Sequence, residues 1–283
     1  MSAIDATKKG GKEAAEKIAN SSWIEWLARF GYLVRGVLYL LVGVLAIQVA
    51  IGARRAAEGA EGAIATLSPE PFGKILLVGV VVGLAGYSLW GFVRAALDPM
   101  GKGSSLKGIA QRIGYVISAL TYGALIIPTI RAIVGYAEEQ ENGTEQGTAF
   151  LLSQPLGHWL VLLAGLIAMG GAVGQAYLGI TGKFKDDFKQ SEMSAKELKI
   201  STWVGRAGYI ARAVVFLLGG FFLVQAALQS NPEQAQGLDG ALAALAQGSF
   251  GMPVLAIVAL GLAAFGVYSI LCTRWIKLAK HES

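Results

Sequence analysis

Two arginines at matched places in apolar surroundings are the residues whose chemistry is most specific in this sequence. Arg35 and Arg212 each lie six residues after the arginine of an Arg-x-Gly-Tyr motif, and Ser118 holds the same place after a third motif. A guanidinium group is always charged and binds carboxylate or phosphate oxygens through a planar fork of donors. The pattern indicates an anion or lipid-headgroup site. It also fits arginines that snorkel from the inner end of a helix to the lipid phosphates.

The motifs themselves supply three more cations. They read Arg-Phe-Gly-Tyr at 29–32, Arg-Ile-Gly-Tyr at 112–115 and Arg-Ala-Gly-Tyr at 206–209. We expect the arginine to mark the inner membrane surface, the glycine to allow close helix contact and the tyrosine to anchor at the headgroups. Trp23, Trp26 and Tyr32 are predicted interfacial anchors for the same reason. The candidate contacts to anionic headgroups are Arg29, Arg35, Arg112, Arg206 and Arg212.

Aromatic residues follow the deeper positions at helix-turn spacing. Tyr39, Tyr122 and Phe216 come four residues after Arg35, Ser118 and Arg212, and residues four apart share a helix face. We therefore predict cation–π pairs between Arg35 and Tyr39 and between Arg212 and Phe216. Ordinary packing explains the aromatic residues equally well.

Other reactive residues are scarce. The chain has one cysteine, Cys272, and two histidines, His158 and His281, so it predicts no internal disulfide, no metal site and no haem ligation. It contains no P-loop, no His-Glu-x-x-His and no nucleophile elbow. Asp98, Asp186 and Asp187 resemble solvated loop charges. We predict no catalytic residue and no cofactor.

The elements that would position the arginines are membrane helices. Hydrophobic residues make up 54% of the 283 residues and charged residues only 15%, against roughly 25% charged in soluble domains. A helix that crosses the bilayer needs about 20 apolar residues. Six apolar runs satisfy this length, at 32–51, 74–93, 113–134, 156–180, 208–228 and 252–273. Cys272, near the end of the last run, is expected to be a small buried hydrophobe.

Charge alternates between the connections. The connections at 135–155 and 229–251 contain no Lys or Arg, whereas that at 52–73 holds Arg54 and Arg55. Lys and Arg concentrate in cytoplasmic loops, which predicts that both termini lie inside. The polar segment 1–22 has no apolar core typical of a signal peptide. Positive residues fall instead in the other connections and the C-terminal tail, at Arg94, Lys102, Lys107, Arg112, Lys183, Lys185, Lys189, Lys196, Lys199, Arg206, Arg274, Lys277 and Lys280.

The chain repeats itself three times. The motif glycines Gly31, Gly114 and Gly208 precede a second set, Gly73, Gly157 and Gly251, at nearly the same spacing in every copy. Short apolar stretches before the second set predict outer half-helices, which lead through Pro71 or Pro155 into the second span. The predicted fold is an all-α membrane protein of six transmembrane helices, in three parallel two-helix repeats around a pseudo-threefold axis. The predicted segments are a polar cytoplasmic tail (1–22) and repeats at 23–100, 101–190 and 191–283.

A second polar ring, at Gln48, Arg131 and Gln225, lies beyond the first at the same offset in every copy. At about 100° per residue, the offset from Arg35 to Gln48 turns the two rings roughly 140° apart on a helix. Straight helices cannot turn both toward one axis, which argues against a pore, although Pro128 could bend the third span. No Asp, Glu, Lys or His lies near the centre of any predicted span, which also disfavours an ion-coupled transporter.

The repeated motif resembles a known family. Three Arg-x-Gly-Tyr motifs, the Pro71-Phe72-Gly73-Lys74 segment and the Tyr87-x-x-Trp90 pair resemble the bacterial membrane family called domain of unknown function 1206. The resemblance covers about 25–280 and is weakest in the second repeat. It implies a bacterial inner-membrane protein of six spans in three hairpins, and it implies no activity.

Three functions are compatible with the sequence. The favoured hypothesis is a non-enzymatic structural, interaction or lipid-binding membrane protein. The alternatives are a channel or transporter of small solutes and an interfacial enzyme that acts on lipids. The expected partners are membrane lipids and either a second copy or another membrane protein, with no nucleic acid. The expected location is the bacterial inner membrane.

Overall fold

The chain is built of helices. A computed structural model describes residues 21–55, 58–99, 101, 103, 105–135, 143–248 and 251–278, and these contain no strand beyond one isolated bridge between Phe188 and Ile276. The predicted tail up to residue 20 lies outside the described residues. So do Lys102, Lys280, His281 and the acidic residues Glu138, Glu139 and Glu141. The helices are α1 (Ser22–Ala50), α2 (Ala60–Leu67), α3 (Gly73–Leu97), α4 (Leu106–Ala124), α5 (Ile126–Val134), α6 (Gly143–Leu152), α7 (Gly157–Thr181), α8 (Ala195–Gln229), α9 (Leu238–Gln247) and α10 (Gly251–Trp275).

Six segments are long and apolar enough to cross a membrane. They are α1, α3, α4 with α5, α7, α8 and α10, which correspond to the six predicted apolar runs. The third crosses as two helices because the chain turns at Leu125, shortly before Pro128. Proline lacks the backbone N–H that would continue the helical hydrogen bonds and crowds the preceding turn. The protein is a multi-pass integral membrane protein.

Two spans extend further at their N-terminal ends than hydropathy predicts. Helix α1 begins at Ser22 and α8 begins at Ala195, whereas their apolar runs start only at positions 32 and 208. Ser194 accepts a hydrogen bond from the backbone N–H of Glu197, and the Glu197 carboxylate accepts one from the backbone N–H of Ser194. This capping box fixes the start of α8. Polar residues therefore continue the helix, and apolar content alone marks only its membrane-buried part.

The short helices α2, α6 and α9 lie where the sequence predicts half-helices, each leading into the next span. The glycine that opens each following span has a steric reason. A Cβ atom on Gly73 would overlap the carbonyl oxygen of Leu67, and a Cβ on Gly251 would overlap that of Ala246. A Cβ atom on Gly157 would likewise overlap the carbonyl oxygen of Leu151, near the end of α6. The half-helix thus folds back tightly onto the start of its span, and only glycine fits there.

Neighbouring repeats pack together through close helix pairs, including the third repeat with the first. These pairs are α10 with α1, α3 with α4, and α7 with α8. A Cβ on Gly36 would lie 2.8 Å from the carbonyl oxygen of Gly266, and one on Gly165 would lie 2.9 Å from that of Gly220. The small residues therefore let the backbones touch, as expected for packing within lipid.

Within a repeat, the two spans pack together in two cases out of three. Helix α1 packs on α3, where Gly31 receives Tyr87, and α8 packs on α10, where Gly208 receives Phe265. Among the described residues no extended packing joins α4 to α7, and a Cβ on the equivalent Gly114 would meet nothing within 4 Å. The pseudo-threefold arrangement is therefore incomplete on the side of the second repeat.

Candidate functional site

Arg35 is buried in the centre of the bundle. Helix α1 carries it inward between α3 and α10, and it is only 6% exposed. Its Nε donates a hydrogen bond to Ser269 Oγ at 2.9 Å, and its Nη1 donates one to the hydroxyl of Tyr87. The guanidinium carbon lies 4.7 Å from the ring centre of Tyr32 and 5.1 Å from that of Phe265. The cation is thus held by hydroxyl groups and aromatic faces.

Arg212 occupies the equivalent place on α8 and is held less completely. It is 9% exposed, and its guanidinium carbon lies 4.4 Å from the ring centre of Phe265, 4.9 Å from that of Phe216 and 5.5 Å from that of Tyr39. Its Nε is buried and has no hydrogen-bond partner within the described part of the chain. Packing within the described part of the chain thus leaves the Nε–H donor of Arg212 without an acceptor.

The two cations share one aromatic ring, and no carboxylate in the described part of the chain pairs with them. Phe265 lies between the two guanidinium groups, and the hydroxyl of Tyr122 is close enough to interact electrostatically with both. No carboxylate among the described residues forms an ion pair with Arg35 or Arg212. Buried charges are ordinarily paired, because an isolated charge in a medium of low polarity is strongly disfavoured. We call the cluster of Arg35, Arg212, Tyr39, Tyr87, Tyr122, Phe216, Phe265 and Ser269 the arginine box.

The arginine box corrects several expectations. Arg35 and Arg212 do not snorkel outward to the lipid surface, since both are enclosed by neighbouring helices. The predicted contact of Arg212 with Phe216 is confirmed, but Arg35 contacts Tyr32, Tyr87 and Phe265, while Tyr39 faces Arg212. Arg35 therefore pairs with Tyr32, one turn earlier on α1, and with rings on α3 and α10, rather than with Tyr39.

Tyr32 is also not an interfacial anchor. It is 3% exposed, whereas Trp23 and Trp26 are 57% and 59% exposed as expected of residues at the membrane surface. The Tyr32 hydroxyl accepts a hydrogen bond from Arg94 at 3.1 Å, and its ring lies against Arg35. The motif tyrosine therefore belongs to the protein interior.

The motif arginines lie apart from the box, near the C-terminal ends of the neighbouring helices α10, α3 and α7. Arg29 donates hydrogen bonds to the carbonyl oxygens of Thr273 and Arg274, the last turn of α10. Arg112 donates to the carbonyl oxygens of Ala95 and Ala96, at the end of α3, at 2.6 and 3.2 Å.

Arg206 lies beside Gly182, where α7 ends, and its Nε has no partner within the described residues. A cation at a helix C-terminus satisfies carbonyls that have no partner in the helix and complements the helix dipole. Arg29 thus joins the first repeat to the third, and Arg112 joins the second repeat to the first. A shallow cavity of about 260 Å³ lies beside Arg112.

Sequence reasoning overlooked the second spans. Tyr87 and Phe265 stand at the same position when their spans are counted from the opening glycines Gly73 and Gly251, and Ser269 lies one helical turn after Phe265. Aligning the second spans on that glycine would have placed both aromatic residues in one position. Their contacts with the arginines depend on how the two spans of a repeat pack together and, for Phe265 with Arg35, on how the third repeat packs on the first. Spacing along the chain does not show this packing.

Comparison with known proteins agrees with this architecture. The family described as Domain of Unknown Function (DUF1206) matches residues 30–98, 113–182 and 207–275. The chain belongs to this family. Each match contains one two-span repeat, which confirms the three-repeat fold. The chain is also similar to a protein of Bacillus subtilis (strain 168), "Uncharacterized protein YxxB", at 39% identity over 251 residues, covering 88% of this chain and 90% of that protein. No solved structure matches the chain.

The chemistry that the arginine box offers is anion binding. Its polar groups are two guanidinium cations and the hydroxyls of tyrosine and serine, which stabilise a negatively charged oxygen by hydrogen bonds and charge. The described residues contain no group of three or more His, Cys, Asp or Glu side chains placed to hold a metal ion. Cys272 is fully buried in the core, in the role predicted for it.

Proposed function

We propose that this protein is a non-enzymatic lipid-binding protein of the bacterial inner membrane, which holds the anionic headgroup of a lipid at Arg35 and Arg212. The observation that carries the proposal is the pair of buried guanidinium groups without a carboxylate partner among the described residues. A protein retains such a destabilising arrangement where it serves function.

Energetic considerations favour an anion over simple packing. Moving an ion out of water costs several kcal/mol even after relaxation. Cation–π contacts return about 0.5–2 kcal/mol each, and the hydrogen bonds of Arg35 return about 1.5–3 kcal/mol each. Arg35 has both kinds of partner, whereas the described contacts of Arg212 are with aromatic faces. A phosphate oxygen at Arg212 would supply the missing acceptor and neutralise charge.

The depth of the site suits a lipid of the inner leaflet. Arg35 lies six residues, about 9 Å of helix rise, beyond Arg29, which contacts the inner end of α10. The excess of Lys and Arg at this end supports a cytoplasmic orientation for both termini. The headgroup would therefore lie just below the cytoplasmic surface, with its acyl chains toward the midplane.

The proposal is tested by lipid retention. We suggest purifying the wild-type chain and Arg212→Met in mild detergent and adding phosphatidylglycerol or phosphatidylethanolamine with matched acyl chains before native mass spectrometry. The wild-type chain should retain phosphatidylglycerol in preference to phosphatidylethanolamine. Arg212→Met should retain at least about tenfold less, which corresponds to about 1.4 kcal/mol.

Lys199→Met provides the matched control, since it removes an exposed cation from the inner end of the same helix. It should leave phosphatidylglycerol retention unchanged. Equal retention of both lipids by the wild-type chain, or unchanged retention by Arg212→Met, would contradict the proposal.

A further inference from the structure

The side of the bundle between α4 and α7 differs from its two counterparts. The equivalent pairs, α1 with α3 and α8 with α10, pack along each other, whereas no extended packing joins α4 to α7 among residues 105–135 and 157–181. Cβ atoms built on Gly114 of α4 and on Gly170 and Gly174 of α7 would meet nothing within 4 Å. These two helices therefore leave a gap between them, which we call the groove.

The sequence of α7 explains the groove. Counted from the glycine that opens each second span, Gly171 occupies the position that Tyr87 and Phe265 hold in the other repeats. Gly174 likewise occupies the position of Trp90 and Tyr268. Two large aromatic side chains are thus replaced by hydrogen at the positions that fill the corresponding gaps in the first and third repeats. Aromatic residues bury about 150–250 Å² each, so their loss removes most of the interhelical contact.

The second repeat also lacks its arginine. Ser118 replaces the cation and lies 3.5 Å from the hydroxyl of Tyr87, which in turn binds Arg35. Ser118 and Gly114 are four residues apart and share a face of α4. The groove therefore leads to the arginine box on its α4 side.

On the α7 side the groove reaches Arg212. A Cβ on Gly171 would lie 3.7 Å from the ring of Phe216, the ring against which Arg212 is stacked. Arg212 is more than nine-tenths buried with an unpartnered Nε, and the Oε1 of Gln175, one turn along α7, is likewise buried without a partner within the described chain. Both atoms are enclosed and lack a partner within the described chain, so a ligand that reaches Arg212 would supply an acceptor that the described chain does not.

The geometry points to a lateral binding site for one glycerophospholipid, whose phosphate lies at Arg212 and whose acyl chain lies in the groove between α4 and α7. This inference rests on the proposed function and adds the route and the class of ligand. The cationic inner end and apolar outer length of the groove match an anionic headgroup and a hydrocarbon chain. The ligand enters sideways from the bilayer and never crosses water.

Filling the groove tests the route. Gly171→Phe combined with Gly174→Tyr installs the residues that the third repeat has at the matched positions. The variant should retain at least about tenfold less phosphatidylglycerol than the wild-type chain in native mass spectrometry, although both arginines remain. Val173→Phe is the control, because Val173 is 70% exposed on another face of α7 and the substitution should leave retention unchanged.

The wild-type chain provides a measurement that does not depend on a variant folding. Phosphatidylglycerol with a photoactivatable diazirine in its acyl chain should label residues of α4 and α7 that face the groove. Labelling confined to the outer faces of α3 and α10, or a stable dimer that covers the groove and excludes the lipid, would overturn the assignment. Retention of inorganic phosphate or of oleate in place of phosphatidylglycerol would overturn the assignment to a phospholipid.

The two proposals fail in different ways. If the lipid reaches Arg212 by another route, Arg212→Met loses phosphatidylglycerol while the filled-groove variant keeps it. If the arginines bind no lipid, the wild-type chain and Arg212→Met retain equally little. Loss in both variants, with retention in Val173→Phe, supports both proposals.

Discussion

Replacing either buried arginine by methionine should separate its structural role from its ligand-binding role. Both substitutions remove a buried charge and its aromatic contacts, and methionine fills similar apolar space. They differ in hydrogen bonds, since Arg35 donates to Ser269 and Tyr87 whereas the Nε of Arg212 has no partner in the described structure. Two charge-assisted hydrogen bonds at about 1.5 kcal/mol each make Arg35→Met about 3 kcal/mol less stable than Arg212→Met.

Thermal unfolding in lipid-free detergent measures this difference. A change of about 1 kcal/mol shifts the midpoint by about 2–4 °C for a chain of about 150–250 residues, so the Arg35→Met midpoint should lie about 6–12 °C below that of Arg212→Met. Arg212→Met itself should equal or exceed the wild-type chain, because replacing an unpaired buried charge by an apolar side chain is often neutral or stabilising.

Adding phosphatidylglycerol then reports on binding. At about 100 times the dissociation constant a ligand stabilises the folded state by about 2.7 kcal/mol, so the wild-type midpoint should rise while that of Arg212→Met stays where it was. If Arg212→Met were as unstable as Arg35→Met without lipid, the cation would be satisfied by the protein alone and the reasoning would be wrong.

Three further comparisons test the fold. Gly36→Ala should strongly destabilise the protein by separating α1 from α10. Gly147→Ala has no atom within 4 Å of the new Cβ and should stabilise its helix by up to about 1 kcal/mol. Thermal unfolding of the two variants measures the difference. Arg112→Leu should speed hydrogen exchange at the end of α3, since the bonds to its last carbonyls are worth about 1 kcal/mol each; unchanged exchange would deny the capping role. Burial and the nearby Asp239 carboxylate raise the pKa of Glu61, so its ionisation destabilises the folded state as pH rises above about 4.3. Glu61→Gln should therefore be more stable than the wild-type chain at pH 7, by less than about 1 kcal/mol for a partly solvated group. At pH 3 the two should be equally stable. An equal difference between them at both pH values would exclude titration of Glu61 as the cause.

The fold was largely predictable because lipid imposes strict rules on sequence. A long apolar segment in hydrocarbon must satisfy its own backbone hydrogen bonds as a helix, and the recurrence of Gly31, Gly114 and Gly208 revealed the repeats directly. The N-terminal extension of α8 was not predicted, because its start is fixed by the cap at Ser194 rather than by hydropathy.

The candidate site was predictable only in part. The repeat register identified Arg35 and Arg212, whereas their burial follows from neighbours on other helices. Tyr87 and Phe265 could have been matched from their distance to the opening glycine, yet their contact with the arginines depends on how the helices pack against each other. The groove at Gly171 became apparent only when its missing side chain was compared with two occupied equivalents.

The threefold repeat has a consequence for symmetry. Three identical, separate hairpins would have to place three arginines and three aromatic rings around one axis, since every residue would appear three times. Within a single polypeptide the copies need not be identical, and the second has Ser118 where the others have arginine and Gly171 where they have an aromatic residue. A single chain thus permits a nearly symmetric scaffold to differ on one side only.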